Sequence, residues 1–183
     1  MNKAVLEEQA NSLLKEHGID AKDGFDIVSL AQKMGFVVGN AVLDDGEDGF
    51  IIVDTNRKSL LGTSANKVIG VNAKRDYPLK RFIIAHEIGH YVLEGCNEPI
   101  YAHRQNNSVK RSVNEQEVDF FAASLLMPQE AFAAKYSEIS KEYELFSTQI
   151  DKLKEVFEAP TKSIIRRLEE LGLIGIKAGP VNG

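Results

Sequence analysis

One cysteine, no tryptophan and five prolines among 183 residues remove several architectures at once. A lone Cys96 excludes both a disulfide framework and a metal cluster built from thiolates. No apolar run approaches the roughly 20 residues a membrane span needs. Positive charge is not in excess: 22 Lys and Arg stand against 27 Asp and Glu, a net charge of -5. That balance argues against general attraction to nucleic acid. Two short basic stretches, His103 to Arg111 and Lys162 to Arg167, are the exceptions, and both read as solvated surface. The opening MNKAVLEEQANSLLKEHG carries charge throughout, unlike a secretory signal. A cytoplasmic address without membrane contact is the expectation. The glycines follow no phosphate-loop spacing, and Cys96 sits in no nucleophile signature.

What is present suits a folded core: 43% apolar and 27% charged residues. Residues 2 to 17 read as a first helix, stopped by Gly18. Ile27 to Lys33 read as a second, with Asp26 as N-cap and Gly35 as its end. Phe36 to Leu43, Phe50 to Asp54 and Val68 to Asn72 read as strands around the polar turn 44–49. A strong helix runs from near Pro78 to Leu93, with Gly95 after it. Cys96 to Asn114 reads as a long loop. A helix from about Asn114 to Met127 follows, stopped by Pro128. Three short helices are expected at 129–135, 139–146 and 148–158, another from Ser163 to Leu171, and a last small strand at 173–176. The pattern implies a small sheet with helices on one side. No linker divides the chain, so residues 1–183 read as one unit whose part from about 129 to 176 is helical.

The sharpest feature is His86-Glu87-Ile88-Gly89-His90, an H-E-x-x-H pattern inside a predicted helix. Histidines four apart stand one turn above each other, so both imidazoles can reach one zinc ion. Glu87 can then reach a water at that ion and act as general base. A helix-interior glycine costs about 1 kcal/mol against alanine. Gly89 therefore needs a reason, and room beside the metal is the one expected.

A catalytic zinc site usually takes three protein ligands and keeps a place for water. The next helix begins Glu115-Gln116-Glu117-Val118-Asp119. Glu115 and Asp119 share a face, so Glu115 can serve as ligand while Asp119 holds the second nitrogen of a ligand histidine. Glu117 is the rival ligand, pointing roughly the other way. Such a set performs peptide hydrolysis, with Glu87 passing the proton to the leaving amine. Tyr91, Tyr101 and His103 are candidates for an additional oxyanion donor.

These residues resemble the ImmA/IrrE family of zinc metallopeptidases. The resemblance rests on Arg81 through His90, on Glu115 through Asp119 and on Phe120-Phe121-Ala122-Ala123-Ser124-Leu125-Leu126-Met127-Pro128. Asp26-Ile27-Val28 with Leu30-Ala31, and Phe157 through Leu173, are similar to the family's opening and closing regions. The resemblance implies a zincin-like α+β fold, with a small β-sheet packed on the metal-binding helices and a helical C-terminal region. It implies Zn2+ held by His86, His90 and a glutamate best matched by Glu115; Mn2+ or another divalent ion also suits the set. It further implies an anti-repressor of phage or mobile-element type, acting on a separate helix-turn-helix repressor, without direct contact to nucleic acid. A non-catalytic regulator that binds and inactivates the repressor is the competing reading. Two departures stand out. Glu94 occupies a position where many relatives have histidine, which argues against an accessory role there, and Val118 replaces a frequent alanine.

Overall fold

The computed structural model describes residues 2–54, 56–95, 100–103 and 114–175, with 100–103 described as backbone only. The fold is α+β. In chain order the elements are α1 (Lys3–Glu16), α2 (Ile27–Lys33), β1 (Val37–Ala41), β2 (Gly49–Val53), β3 (Lys67–Asn72), α3 (Tyr77–Glu94), β4 (Ile100–His103), α4 (Glu115–Leu126), α5 (Gln129–Glu142), α6 (Phe146–Phe157) and α7 (Thr161–Glu170).

Local chemistry sets many of these bounds. Asn2, Asp26, Asp76 and Asn114 each accept a hydrogen bond from a first-turn amide of α1, α2, α3 and α4, replacing partners the helix cannot supply. Pro78 lies in the first turn of α3, where its missing N–H costs nothing. Glu115 and Glu117 occupy the first turn of α4, the end that favours negative charge.

The four strands are ordered β1-β3-β2-β4. β1 runs parallel to β3, with Val38 opposite Ile69. β2 runs antiparallel to β3 and β4, placing Ile51 opposite Ile69 and Ala102. Alternation sends the residues of β2 and β3 to two faces. Ile51, Val53, Ile69 and Val71 join the main core with α2, α3 and α4. Phe50 and Val68 form a second cluster with Leu60 from the 54–66 connection. A Cβ on Gly49 would run into Ile83; the bare glycine is what lets α3 lie against β2.

Three sequence expectations change here. The stretch from Cys96 to Asn114 is not all loop, because residues 100–103 form the edge strand β4. Its pairing with β2 is long-range, and no local pattern announces it. The helices expected at 129–135 and 139–146 are largely one helix, α5, ending at Glu142. No glycine or proline breaks it between them. Residues 173–175 form no strand; Leu173 and Ile174 pack on the core instead. Ile176, Cys96, Arg104 and Arg111 lie outside the described residues.

Candidate metal centre

α3 carries both motif histidines in its buried half. His86 is 3% exposed and His90 0%. One helical turn brings their Nε2 atoms to 3.0 Å. α4, packed along α3, brings Glu115 Oε2 to 3.2 Å from His86 Nε2 and 3.5 Å from His90 Nε2. Among the described residues these three side chains form a group able to hold a metal ion. Glu117 is not one of the three.

The outward nitrogens explain what the inward ones can do. His86 Nδ1 lies 2.9 Å from Asp119 Oδ1, and His90 Nδ1 lies 2.9 Å from Glu94 Oε1. A carboxylate only accepts, so each Nδ1 carries the N–H and donates. Both Nε2 lone pairs then face the Glu115 oxygen. Three acceptors in mutual contact repel unless a positive charge sits among them. Burial pulls the His86 pKa down. Hydrogen bonds to Asp119 and Glu115 and the Glu87 charge outweigh it and push the pKa up to about 9. The cluster attracts a cation; without a metal, a proton answers.

The spacing fits a metal. Tetrahedral zinc with bonds of about 2.0–2.1 Å requires its donors to lie roughly 3.3 Å apart. The 3.0, 3.2 and 3.5 Å separations bracket that value. Buried histidines oriented by carboxylates are also the arrangement that fixes the ligand tautomer in metal sites.

Glu87 is buried beside the cluster, on the side of α3 that meets β2: a Cβ on Gly49 would lie 3.7 Å from Glu87 Oε1. Glu87, His86 and Asp119 line a cleft of about 220 Å3 between α3, α4 and α7. Tyr91 goes elsewhere. Its hydroxyl accepts from Lys67 Nζ at 2.7 Å, and its ring stands edge-on to Phe36. Tyr101 and His103 are described as positions of β4, opposite Ile52 and Phe50; their side chains are outside the described residues.

Two readings from sequence need correction. Glu94, set aside because relatives differ there, holds His90 Nδ1. The available signal was its spacing: it lies four residues after His90, one turn along the same face. Gly89 does not make room at the metal. A Cβ there would meet Val118 Cγ1 at 3.0 Å and Phe121 Cδ1 at 3.2 Å. The glycine admits α4, and Val118 fills the space it leaves.

A family model described as the IrrE N-terminal-like domain (Peptidase_M78) matches residues 49–169. The match takes in β2 through nearly all of α7, and the chain belongs to this family, whose name implies a peptidase. Among solved structures, the chain is similar to a Mycobacterium tuberculosis transcriptional regulator, with 17% identity and a TM-score of 0.58. The match covers 90% of this chain and 46% of that one, so the chain spans less than half the regulator's length. At this identity the likeness concerns the fold. No curated protein matches the sequence. No helix among the described residues is long and apolar enough to cross a membrane.

Proposed function

We propose that this protein is a zinc-dependent endopeptidase that hydrolyses a peptide bond in a helix-turn-helix repressor, and so acts as a regulatory protease. The observation that supports the reading is the shared cleft: Glu87, a general base by chemistry, lines the same wall as ligand-competent His86. In this reading His86, His90 and Glu115 hold the ion, while Asp119 and Glu94 orient the two imidazoles. When bound, the ion supplies a Lewis acid that acidifies water and polarises the scissile carbonyl. Glu87 accepts the proton of the attacking water and returns it to the leaving amine. The chain works as one unit, because Arg167 of α7 is tied to Glu7 of α1. The repressor as target draws on the family's regulatory character and on the regulator whose fold is similar.

The test is incubation of the zinc-loaded protein with the repressor encoded nearest its gene, followed by mass spectrometry of the products. Cleavage at one bond is expected, falling about 10²–10⁴-fold in Glu87→Gln. Repressor inactivation that persists undiminished in Glu87→Gln would move the function from hydrolysis to binding.

A further inference from the structure

The basic stretch Lys162 to Arg167 is not one patch. Arg167 is fully buried and donates to both oxygens of Glu7. Lys162 and Arg166, one turn apart on α7, instead line the cleft that His86 and Glu87 line from α3. The rest of that cleft is largely apolar: Leu79, Phe82 and Ile83 from α3, Ala123 from α4, and Pro160 ahead of α7.

Size and charge restrict what can enter. The volume of about 220 Å3 is below the roughly 300–1,000 Å3 of sites that enclose a whole small molecule. It exceeds the roughly 150 Å3 that accommodates a benzene ring. One large side chain fits. Asp48, on another wall, is answered by Arg75 Nε at 2.7 Å. Arg166 Nε lies 3.1 Å from Glu170, and its Nη1 lies 3.8 Å from Asp119. Lys162 is exposed and makes no ion pair with any described residue. The cleft thus joins a largely apolar interior to a rim at which Lys162 carries the available positive charge.

We infer that this cleft is the side-chain subsite of the polypeptide substrate: it takes a leucine, methionine or phenylalanine beside the scissile bond, and Lys162 at its rim favours an acidic neighbour in the same substrate. The inference rests on the endopeptidase reading and gives that reading a selectivity. An apolar side chain gains by leaving water for the apolar walls, and a polar one would give up hydration to meet carboxylates already engaged, Asp48 by Arg75 and Asp119 by His86. A peptide laid across the cleft would present its next bond to the wall that carries His86 and Glu87.

The experiment uses zinc-loaded Glu87→Gln protein and fluorescently labelled, end-blocked octapeptides that differ at one central position. Fluorescence anisotropy is expected to show Leu and Phe peptides binding at least about tenfold more tightly than Ala or Lys peptides. Ser163, half-buried on α7, also lines the cleft; adding Ser163→Leu puts bulk into it and should bring the Leu-to-Ala ratio close to one. Leu79→Ala, which enlarges the cleft, should shift preference from Leu towards Phe. Lys162→Glu should reverse a preference for Asp over Lys at the neighbouring position while keeping the Leu-to-Ala ratio. Equal affinities for all central residues, no binding by any peptide, or ratios unmoved by Ser163→Leu and Leu79→Ala would each overturn the subsite. Because binding is read without turnover, selective binding in a protein whose wild type cleaves nothing would overturn the endopeptidase reading alone. Wild-type cleavage without size preference would overturn the subsite alone.

Discussion

Two groups of buried charge in this molecule are built to opposite rules. In the first, Glu7 receives Arg167 Nη2 at 2.7 and 2.6 Å, Ser124 Oγ at 2.7 Å and the Gln129 amide at 2.9 Å. Arg167 Nε also donates to the Met127 carbonyl at 3.0 Å. Carboxylate and guanidinium match in charge, with Nη2 alone reaching both Glu7 oxygens and Nη1 buried without a hydrogen-bond partner, and the group ties α1, α4 and α7 together. In the second, His86, His90 and Glu115 turn three acceptors towards one point, while Asp119 and Glu94 add negative charge behind the imidazoles. The first group has its charge answered within its own chain. The second gathers three ligand atoms within reach of one ion. The first group answers a buried charge with its opposite; the second sets two buried imidazoles against a half-exposed carboxylate, donors of the kind an ion takes.

The contrast can be broken from the metal side first. His90→Ala or His86→Ala is expected to abolish stoichiometric zinc binding, measured by metal analysis after dialysis, because two donors cannot hold the ion against competing water. Stoichiometric zinc in either variant would remove the cluster as the site. Next comes the closed pair. Arg167→Met strands the Glu7 charge in the interior and should cost about 3–5 kcal/mol in chemical denaturation, with metal stoichiometry unchanged. The double variant Glu7→Gln/Arg167→Met should recover part of that loss.

Smaller effects sharpen the comparison. Asp119→Asn and Glu94→Gln should each weaken zinc affinity about 10–100-fold, read by competition with a chelating dye. A silent Glu94→Gln would restore the reading from sequence that this position has no accessory role. The pH response follows from His86, raised from 6.5 to about 9. In the metal-free protein, its proton stabilises the fold fully below pH 6.5, and that contribution is lost as pH rises through about 9. Metal binding runs the other way. It must displace the proton, so affinity should fall by up to about tenfold per unit as pH drops below the His86 pKa. Calorimetry at neutral pH, in buffers of different ionisation enthalpy, should find about one proton released per ion. Gly89→Ala should have the smallest effect. Crowding Val118 and Phe121 costs about 1–3 kcal/mol, and the alanine recovers about 1 kcal/mol of helix propensity.

Features carried by local chemistry could be read before any coordinates. Asp26 and Gly35 bracket α2, and the cap does in space what its sequence position implies, accepting from the Val28 amide. The pairs His86/His90 and Glu115/Asp119 were also readable, because helical spacing fixes which side chains share a face, whereas their meeting depends on the packing of α4 on α3. Features that depend on distant partners were not. β4 exists through its pairing with β2, about fifty residues earlier. Gly89 looked like space for a metal because its neighbours in sequence are ligands, yet its neighbours in space are Val118 and Phe121. Of the stretch read as solvated charge, Lys162 and Arg166 do stay exposed, but Arg167 is buried against Glu7 of α1. Glu94 was discounted through comparison with relatives, although its one-turn distance from His90 held the answer.

The two imidazoles are steadied from different places: His90 by a carboxylate on its own helix, His86 by one borrowed from α4. Half of the centre can therefore assemble as soon as α3 winds, and half must wait for a distant stretch of chain to arrive. An ion held by this set would therefore be gripped loosely by a half-collapsed chain and held fast only once α3 and α4 are packed together.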